Sequence, residues 1–140
     1  MATPSSRELQ CVVVTPERAL LDVPADFVAL PMYDGELGVL PGRSPLIGRL
    51  GFGDLRIRKG ERTTHLYVEG GFVQVRANTV TVLTSRALKP SEINPDTAEQ
   101  ALEKASEAQK KASGSEAQEA QLLNQQKARA QLRVAQHREA

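Results

Sequence analysis

Residues 55–84 read LRIRKGERTTHLYVEGGFVQVRANTVTVLT, and apolar side chains alternate with polar ones through much of this stretch. Alternation with a period of two is typical of strands that bury one face. Strands are predicted over residues 55–58, 64–68, 72–76 and 79–84. Turn-forming residues separate them, at positions 59–62, 70–71 and 77–78. Short strands joined by close turns predict an antiparallel sandwich or barrel.

The residues before this stretch continue the β pattern. Strands are predicted over residues 9–15, 19–23 and 27–30, where prolines at 16, 24 and 31 are expected to end them. Residues 35–46, GELGVLPGRSPL, are predicted to form a long loop that exposes aliphatic side chains. Loops of this kind often contact a partner. The alternative for this loop is a rigid turn folded over the end of the sandwich.

The composition changes near residue 89. Nine of the ten glycines, six of the eight prolines and all five aromatic residues lie before residue 73, whereas Ala, Gln, Glu, Lys and Arg dominate after residue 90. Strong helix formers predict a helical second part. We therefore expect a β-sandwich docking domain over residues 1–88 and an antiparallel helical hairpin over residues 89–140.

The predicted hairpin has a helix from Pro95 to Ser113-Gly114, with Asn94 as its cap, and a second helix from Glu116 to about Arg138. Its apolar stripe consists mostly of alanine. Because alanine burial contributes far less than leucine burial, we expect the hairpin to be weakly held and able to move.

Charge is uneven along this hairpin. Acidic residues dominate the first helix, and the end of the second carries Lys127, Arg129 and Arg133 without an acid among them. Arg129 and Arg133 share one face, while Lys127 points elsewhere, about 200° around the helix from Arg129. One interpretation is a basic face that meets an acidic partner; the other is a solvated surface.

Composition excludes several functional classes. The 140 residues carry a net charge of only +1, so no basic field indicates a nucleic-acid partner. Cys11, His65 and His137 fall in separate segments, which argues against a zinc site or a Cys/His nucleophile. The glycines of residues 48–53 match no phosphate-binding loop. We expect no enzyme activity, no metal and no cofactor. The N-terminus resembles neither a secretory signal nor a transit peptide, which favours a bacterial or organelle-encoded origin.

Taken together, these landmarks resemble the epsilon chain of the F-type proton-translocating ATP synthase. GELGVLPGRSPLIGRLGFGDLRI (35–57) resembles the family's most characteristic segment, VEGGFVQVRANTVTVL (68–83) its second, and RAQLRV (129–134) its last helix. The resemblance implies a sandwich of about ten strands and a helical hairpin. It also implies a rotor subunit that binds the gamma chain and sits on the c-ring, at the cytoplasmic face of a bacterial inner membrane.

The resemblance assigns candidate contacts to particular residues. Docking onto the c-ring would use Glu36, Leu37, Val39, Arg43 and Leu46. Extended along gamma toward the alpha/beta hexamer, the hairpin would place Lys127, Arg129 and Arg133 against acidic beta residues and suppress ATP hydrolysis.

The sequence also departs from the family pattern. Arg43 stands where the family commonly has His. Some bacterial members bind ATP through an I/L-D-x-x-R-A motif, and the equivalent residues here are Ile93, Asn94, Thr97 and Ala98. Without the aspartate and the arginine, ATP binding is not expected. The competing hypotheses are an unrelated β-sandwich adaptor with a partner-binding helical tail and a small nucleotide-binding regulator.

Overall fold

In the computed structural model, which describes residues 8–111 and 114–136, ten strands precede two helices. The strands are β1 Leu9–Val14, β2 Ala19–Ala25, β3 Phe27–Met32, β4 Gly35–Val39, β5 Leu46–Arg49, β6 Phe52–Lys59, β7 Arg62–Glu69, β8 Phe72–Arg76, β9 Thr79–Leu83 and β10 Ala87–Leu88. A 3₁₀ turn, Pro90–Glu92, leads to α1 Pro95–Lys111 and α2 Ser115–Ala135. The predicted sandwich followed by a helical pair is confirmed.

The strands form two five-stranded sheets packed face to face. The first sheet has the order β2-β1-β9-β8-β5 and the second has the order β10-β7-β6-β3-β4. Alternate residues point inward from both sheets, as the sequence pattern predicts, so Val73, Val75, Val80 and Val82 are buried in the core between them. One pair departs from the antiparallel expectation, because β1 and β9 run parallel.

Three strands were missing from the sequence prediction. They are the short β10 and the two strands at the ends of the loop predicted over residues 35–46, a prediction that is wrong at both ends. Residues 35–39 form β4, which pairs with β3, and Leu46 begins β5, which pairs with β8. Only residues 40–45 connect these two strands, and they are called the tip loop below.

Prolines 24 and 31 do not end their strands as predicted. β2 is an edge strand, so Pro24 needs no donor on its open side. β3 pairs with β6 only as far as Ala29, so Pro31 lies beyond that ladder.

The hairpin packs on the outer face of the second sheet through α2, which contacts β6 and β7. α1 contacts α2 and lies on its far side. The predicted helix ends Ser113 and Arg138 lie outside the described residues, as does His137.

Candidate functional site

The tip loop has a fixed shape at one end of the sandwich. The backbone N–H of Gly42, which has a φ of +86°, donates to Asn78 Oδ1 over 2.8 Å. The N–H of Arg43 closes a turn onto the carbonyl of Leu40 over 3.3 Å. Leu40 is 57% exposed and Arg43 is exposed, so the loop holds an apolar and a cationic side chain outward.

The residues predicted to dock onto the c-ring are divided between this loop and the strands beside it. Val39 is fully buried, and Leu37 and Leu46 pack partly buried against the core. Glu36 lies on β4 and forms an ion pair with Arg56 of β6. Of the predicted set, only Arg43 therefore belongs to the tip loop itself.

Leu40 is a tip residue that the sequence analysis did not include. Leu37 and Val39 point inward, so a period of two places Leu40 on the outward side. Extending the strand alternation one residue beyond β4 would have identified it.

A second surface covers the outward side of the first sheet. Phe72, Leu83 and Val14 lie directly opposite one another on the neighbouring strands β8, β9 and β1. Phe72 is 59% exposed, Leu83 is 50% exposed, and Ile47 of β5 adds a third exposed apolar side chain at 77%. We call Ile47, Phe72 and Leu83 the apolar face. It lies on the first sheet, whereas the hairpin packs on the second. An apolar cluster of this kind is typical of an interaction surface.

The hairpin meets the second sheet through a small apolar cluster, which we call the seam. It consists of Tyr67, Leu88, Ile93, Ala130, Val134 and Ala135. Tyr67 is fully buried there, and burial raises the pKa of its hydroxyl to about 12. Three of the six residues are no larger than valine, so the apolar contribution to hairpin docking is modest.

Lys127 lies beside the seam and is held by two strands of the sandwich. Its Nζ is 3.2 Å from Glu69 Oε1 and 4.8 Å from the centre of the Phe52 ring. Phe52 and Glu69 are directly opposite each other on β6 and β7. Arg86 Nη1 approaches the same carboxylate at 3.7 Å.

Arg129 and Arg133 occupy a different position, although they belong to the same basic segment. Both are exposed, and both line a groove of about 450 Å³ between α2 and the β3–β4 turn, beside Tyr33 and Phe52. The two arginines share one face of α2, as their spacing predicts.

The degenerate ATP motif lies where the chain enters the hairpin. Asn94 Oδ1 accepts hydrogen bonds from the N–H groups of Asp96 and Thr97, at 3.0 and 3.4 Å, and thereby caps α1. Ile93 and Ala98 are buried, and Thr97 is exposed. Asn94 and Ile93 thus have structural roles here, at the helix cap and in the seam.

The chemistry-bearing residues considered in the sequence analysis remain apart. Burial raises the pKa of the Cys11 thiol to about 12, so it stays protonated inside the core. His65 Nδ1 lies 2.9 Å from Asp54 Oδ2 on the second sheet. Across residues 8–111 and 114–136, no three His, Cys, Asp or Glu side chains are placed to hold a metal ion. Within the same residues, neither helix is long and apolar enough to cross a membrane.

Comparison with known proteins identifies a family and a set of relatives. Residues 8–90 match the family described as ATP synthase, Delta/Epsilon chain, beta-sandwich domain. The ATP synthase epsilon chain of Rhodopirellula baltica is 53% identical over 97 residues, which is 69% of this chain and 76% of that one. The epsilon chain of a Synechococcus strain is 35% identical over 123 residues, which is 88% of this chain and 90% of its own length.

Two solved assemblies contain chains of the same fold. One is the Euglena gracilis mitochondrial ATP synthase, resolved as OSCP, F1 and c-ring, with a TM-score of 0.81 at 21% identity over 94% of this chain and 82% of the other. The other is the central stalk and c-ring of the Tetrahymena thermophila mitochondrial ATP synthase, with a TM-score of 0.67 at 15% identity over 96% and 99% of the two chains.

Proposed function

This chain belongs to the delta/epsilon chain family of the ATP synthases, and from that premise we propose that it joins the gamma chain to the c-ring as part of the rotor. Its role is non-catalytic, and it acts within a membrane-associated complex. Family membership removes the hypothesis of an unrelated adaptor.

The observation that carries the proposal is the presence of two separate outward surfaces on one rigid sandwich. The apolar face is suited to a permanent partner, because burying it removes Ile47, Phe72 and Leu83 from water. At about 25 cal/mol per Å² of apolar surface, each of these side chains contributes roughly 1 kcal/mol or more on docking. We assign this face to the gamma chain.

The tip loop is suited to a polar partner surface. Arg43 offers a permanent cation beside the apolar side chain of Leu40, on a loop fixed by the Gly42–Asn78 hydrogen bond. We assign this loop to the polar loops of the c-ring. Because Glu36 is already paired with Arg56, its contribution to docking would be secondary.

In this proposal the sandwich and the hairpin have different roles. Residues 1–88 form the docking unit, and residues 89–140 form the regulatory hairpin, which restrains ATP hydrolysis when it extends toward the alpha/beta hexamer. The chain lies peripherally on the cytoplasmic side of a bacterial inner membrane.

Cross-linking tests the orientation of the sandwich. A cysteine at Arg43 is expected to cross-link to a c subunit in the assembled complex. The matched control is Glu17→Cys, because Glu17 is exposed in the β1–β2 turn at the opposite end. Cross-linking from Glu17 but not from Arg43 would reverse the proposed orientation.

Co-purification tests the apolar face. Replacing Phe72 and Leu83 with Ser is expected to reduce recovery of the alpha, beta and gamma chains with the tagged protein. Leu122→Ser is the control, because Leu122 is 43% exposed but lies on α2, which packs on the other sheet. Full recovery with the Phe72/Leu83 variant contradicts the assignment to gamma.

A further inference from the structure

The contact between Lys127 and the sandwich is unlike the rest of the seam. The seam is small and apolar, whereas this contact joins a cation of α2 to a carboxylate of β7 across the boundary between hairpin and sandwich. Its two ends lie 58 positions apart in the sequence, so no local helix interaction accounts for it.

The backbone of Glu69 is hydrogen-bonded within the sandwich. Its N–H donates to the carbonyl of Arg86 over 3.0 Å, and its own carbonyl accepts from Ser85 Oγ over 2.6 Å. With the hairpin packed on the sandwich, its side chain is only 15% exposed. An acceptor whose backbone is fixed lowers the entropy cost of forming the ion pair.

Two residues of the sandwich contact the Lys127 ammonium. The carboxylate of Glu69 lies on one side of the ammonium, and the Phe52 ring lies on another. A cation over an aromatic ring and beside a poorly exposed carboxylate is held more firmly than a surface pair, because water screens it less. Lys127 is 32% exposed, consistent with this partial shielding.

We propose that Glu69, Phe52 and Lys127 form an ionic latch that holds the hairpin against the sandwich. The latch makes Lys127 a residue of the compact arrangement and withholds it from partners until the hairpin leaves. This inference rests on the proposed regulatory role of the hairpin, but the latch itself is a property of the isolated chain. The experiment below therefore does not depend on an ATP synthase partner.

Distance measurement by pulsed EPR tests the latch in the full chain. Spin labels are placed on cysteines introduced at Thr63 of β7 and Glu119 of α2, which are both exposed. Cys11 is buried as a protonated thiol and stays unlabelled. The unmodified chain is expected to give mainly one narrow distance, and a longer, broader component reports the open form.

Neutral substitutions should open the latch. Glu69→Gln and Lys127→Gln are each expected to raise the ratio of open to compact molecules about tenfold, which corresponds to about 1.4 kcal/mol. Combining them should add little, because both remove the same contact. Lys127→Arg, which keeps the charge, should stay close to the unmodified chain.

Two matched controls separate the latch from general charge effects. Arg86→Gln removes a cation from the same carboxylate, but Arg86 belongs to the sandwich, so the hairpin should not move. Lys104→Gln removes a cation from an exposed position of α1, a helix whose main contacts are with α2. Neither should change the distance distribution.

Salt gives a readout that a merely structural role does not affect. Raising the ionic strength from 0.05 to 0.5 M, by about tenfold, should increase the open fraction of the unmodified chain because the ion pair is screened. The same change should leave the Glu69→Gln variant nearly unaffected. The proposal is overturned if Glu69→Gln and Lys127→Gln leave the distances unchanged, if Arg86→Gln opens the hairpin equally, or if the two single effects simply add.

Discussion

Replacing both Arg129 and Arg133 with Ala tests the inhibitory role of the hairpin. In the compact structure both arginines are exposed, and exposed substitutions usually change stability by no more than about 0.5 kcal/mol. Alanine is also the better helix former, so α2 should persist. The double variant should therefore fold, dock and assemble as the unmodified chain does.

The expected effect lies entirely in the extended arrangement. Against acidic beta residues and partly shielded from water, each arginine contributes about 1.5–3 kcal/mol through a charge-assisted hydrogen bond. Losing both contacts removes at least about 3 kcal/mol of stabilisation from the extended arrangement. Each 1.4 kcal/mol changes the ratio of extended to compact molecules about tenfold. The extended population should thus fall by about a hundredfold or more, and ATP hydrolysis by the complex should rise toward its uninhibited rate.

The assay is steady-state ATP hydrolysis by the purified complex, with subunit content checked in parallel. The matched control replaces Lys104 and Lys110 of α1 with Ala. Both lysines are exposed, and their replacement removes the same amount of positive charge from the other helix. A chain ending at Lys89 sets the upper limit. If that truncated complex assembles, couples normally and hydrolyses ATP no faster, the hairpin is not an inhibitor. If truncation activates but the double arginine variant does not, inhibition depends on other residues.

Two further predictions concern ATP and the sandwich. Because Asn94 caps α1 and Thr97 replaces the expected arginine, the isolated chain should bind ATP no tighter than about 1 mM by calorimetry, and micromolar binding would contradict this. Gly71→Ala should destabilise the sandwich by about 3 kcal/mol or more in urea unfolding, because an added Cβ would lie 2.0 Å from the Leu83 carbonyl oxygen. Gly42→Ala is its control: Gly42 also has a positive φ but has open space around its Cβ position, so only the backbone strain of about 1–2 kcal/mol applies. Equal losses of unfolding free energy in the two variants would show that backbone strain alone requires glycine at 71, rather than the close approach of the Leu83 carbonyl.

The sequence alone predicted those elements in which each residue's role follows from its neighbours along the chain. Alternation identified β8 and β9, because each buries one face, and Asn94 followed by Pro95 identified the cap of α1. The division between strand-forming and helix-forming residues also follows from local preferences.

The missed strands show what local preference cannot reveal. Glycines in residues 35–48 suggested turns, but a Cβ at Gly38 would lie 2.9 Å from the Phe27 ring, and one at Gly48 would lie 2.4 Å from Met32 Cε. These glycines are inside strands, and a side chain distant in sequence already fills the space where their own Cβ would be. Only the tertiary packing distinguishes that role from a turn.

The same limit applies to the basic segment, where the sequence placed Lys127 together with the two arginines. Helical phase separates them, but nothing near Lys127 in the sequence indicates that Glu69 is its partner. The ion pair depends on how α2 lies across β6 and β7. That arrangement exists only in the folded chain, where the helix packs on the complete sheet.

Because Lys127 and the two arginines point to different sides of α2, they should act on the hairpin in opposite directions. Lys127 stabilises the compact arrangement through Glu69, whereas Arg129 and Arg133 are exposed there and have contacts to gain only on extension. Lys127→Gln should therefore lower ATP hydrolysis by the complex, and the Arg129/Arg133 alanine variant should raise it, although all of these changes remove positive charge from the same seven residues of helix. A basic helix acting only through its total charge would move the rate in one direction in every case. Opposite signs would show that α2 carries a separate set of contacts for each arrangement, on separate faces, with the balance between them set by side chains whose individual contributions are only about 1–3 kcal/mol.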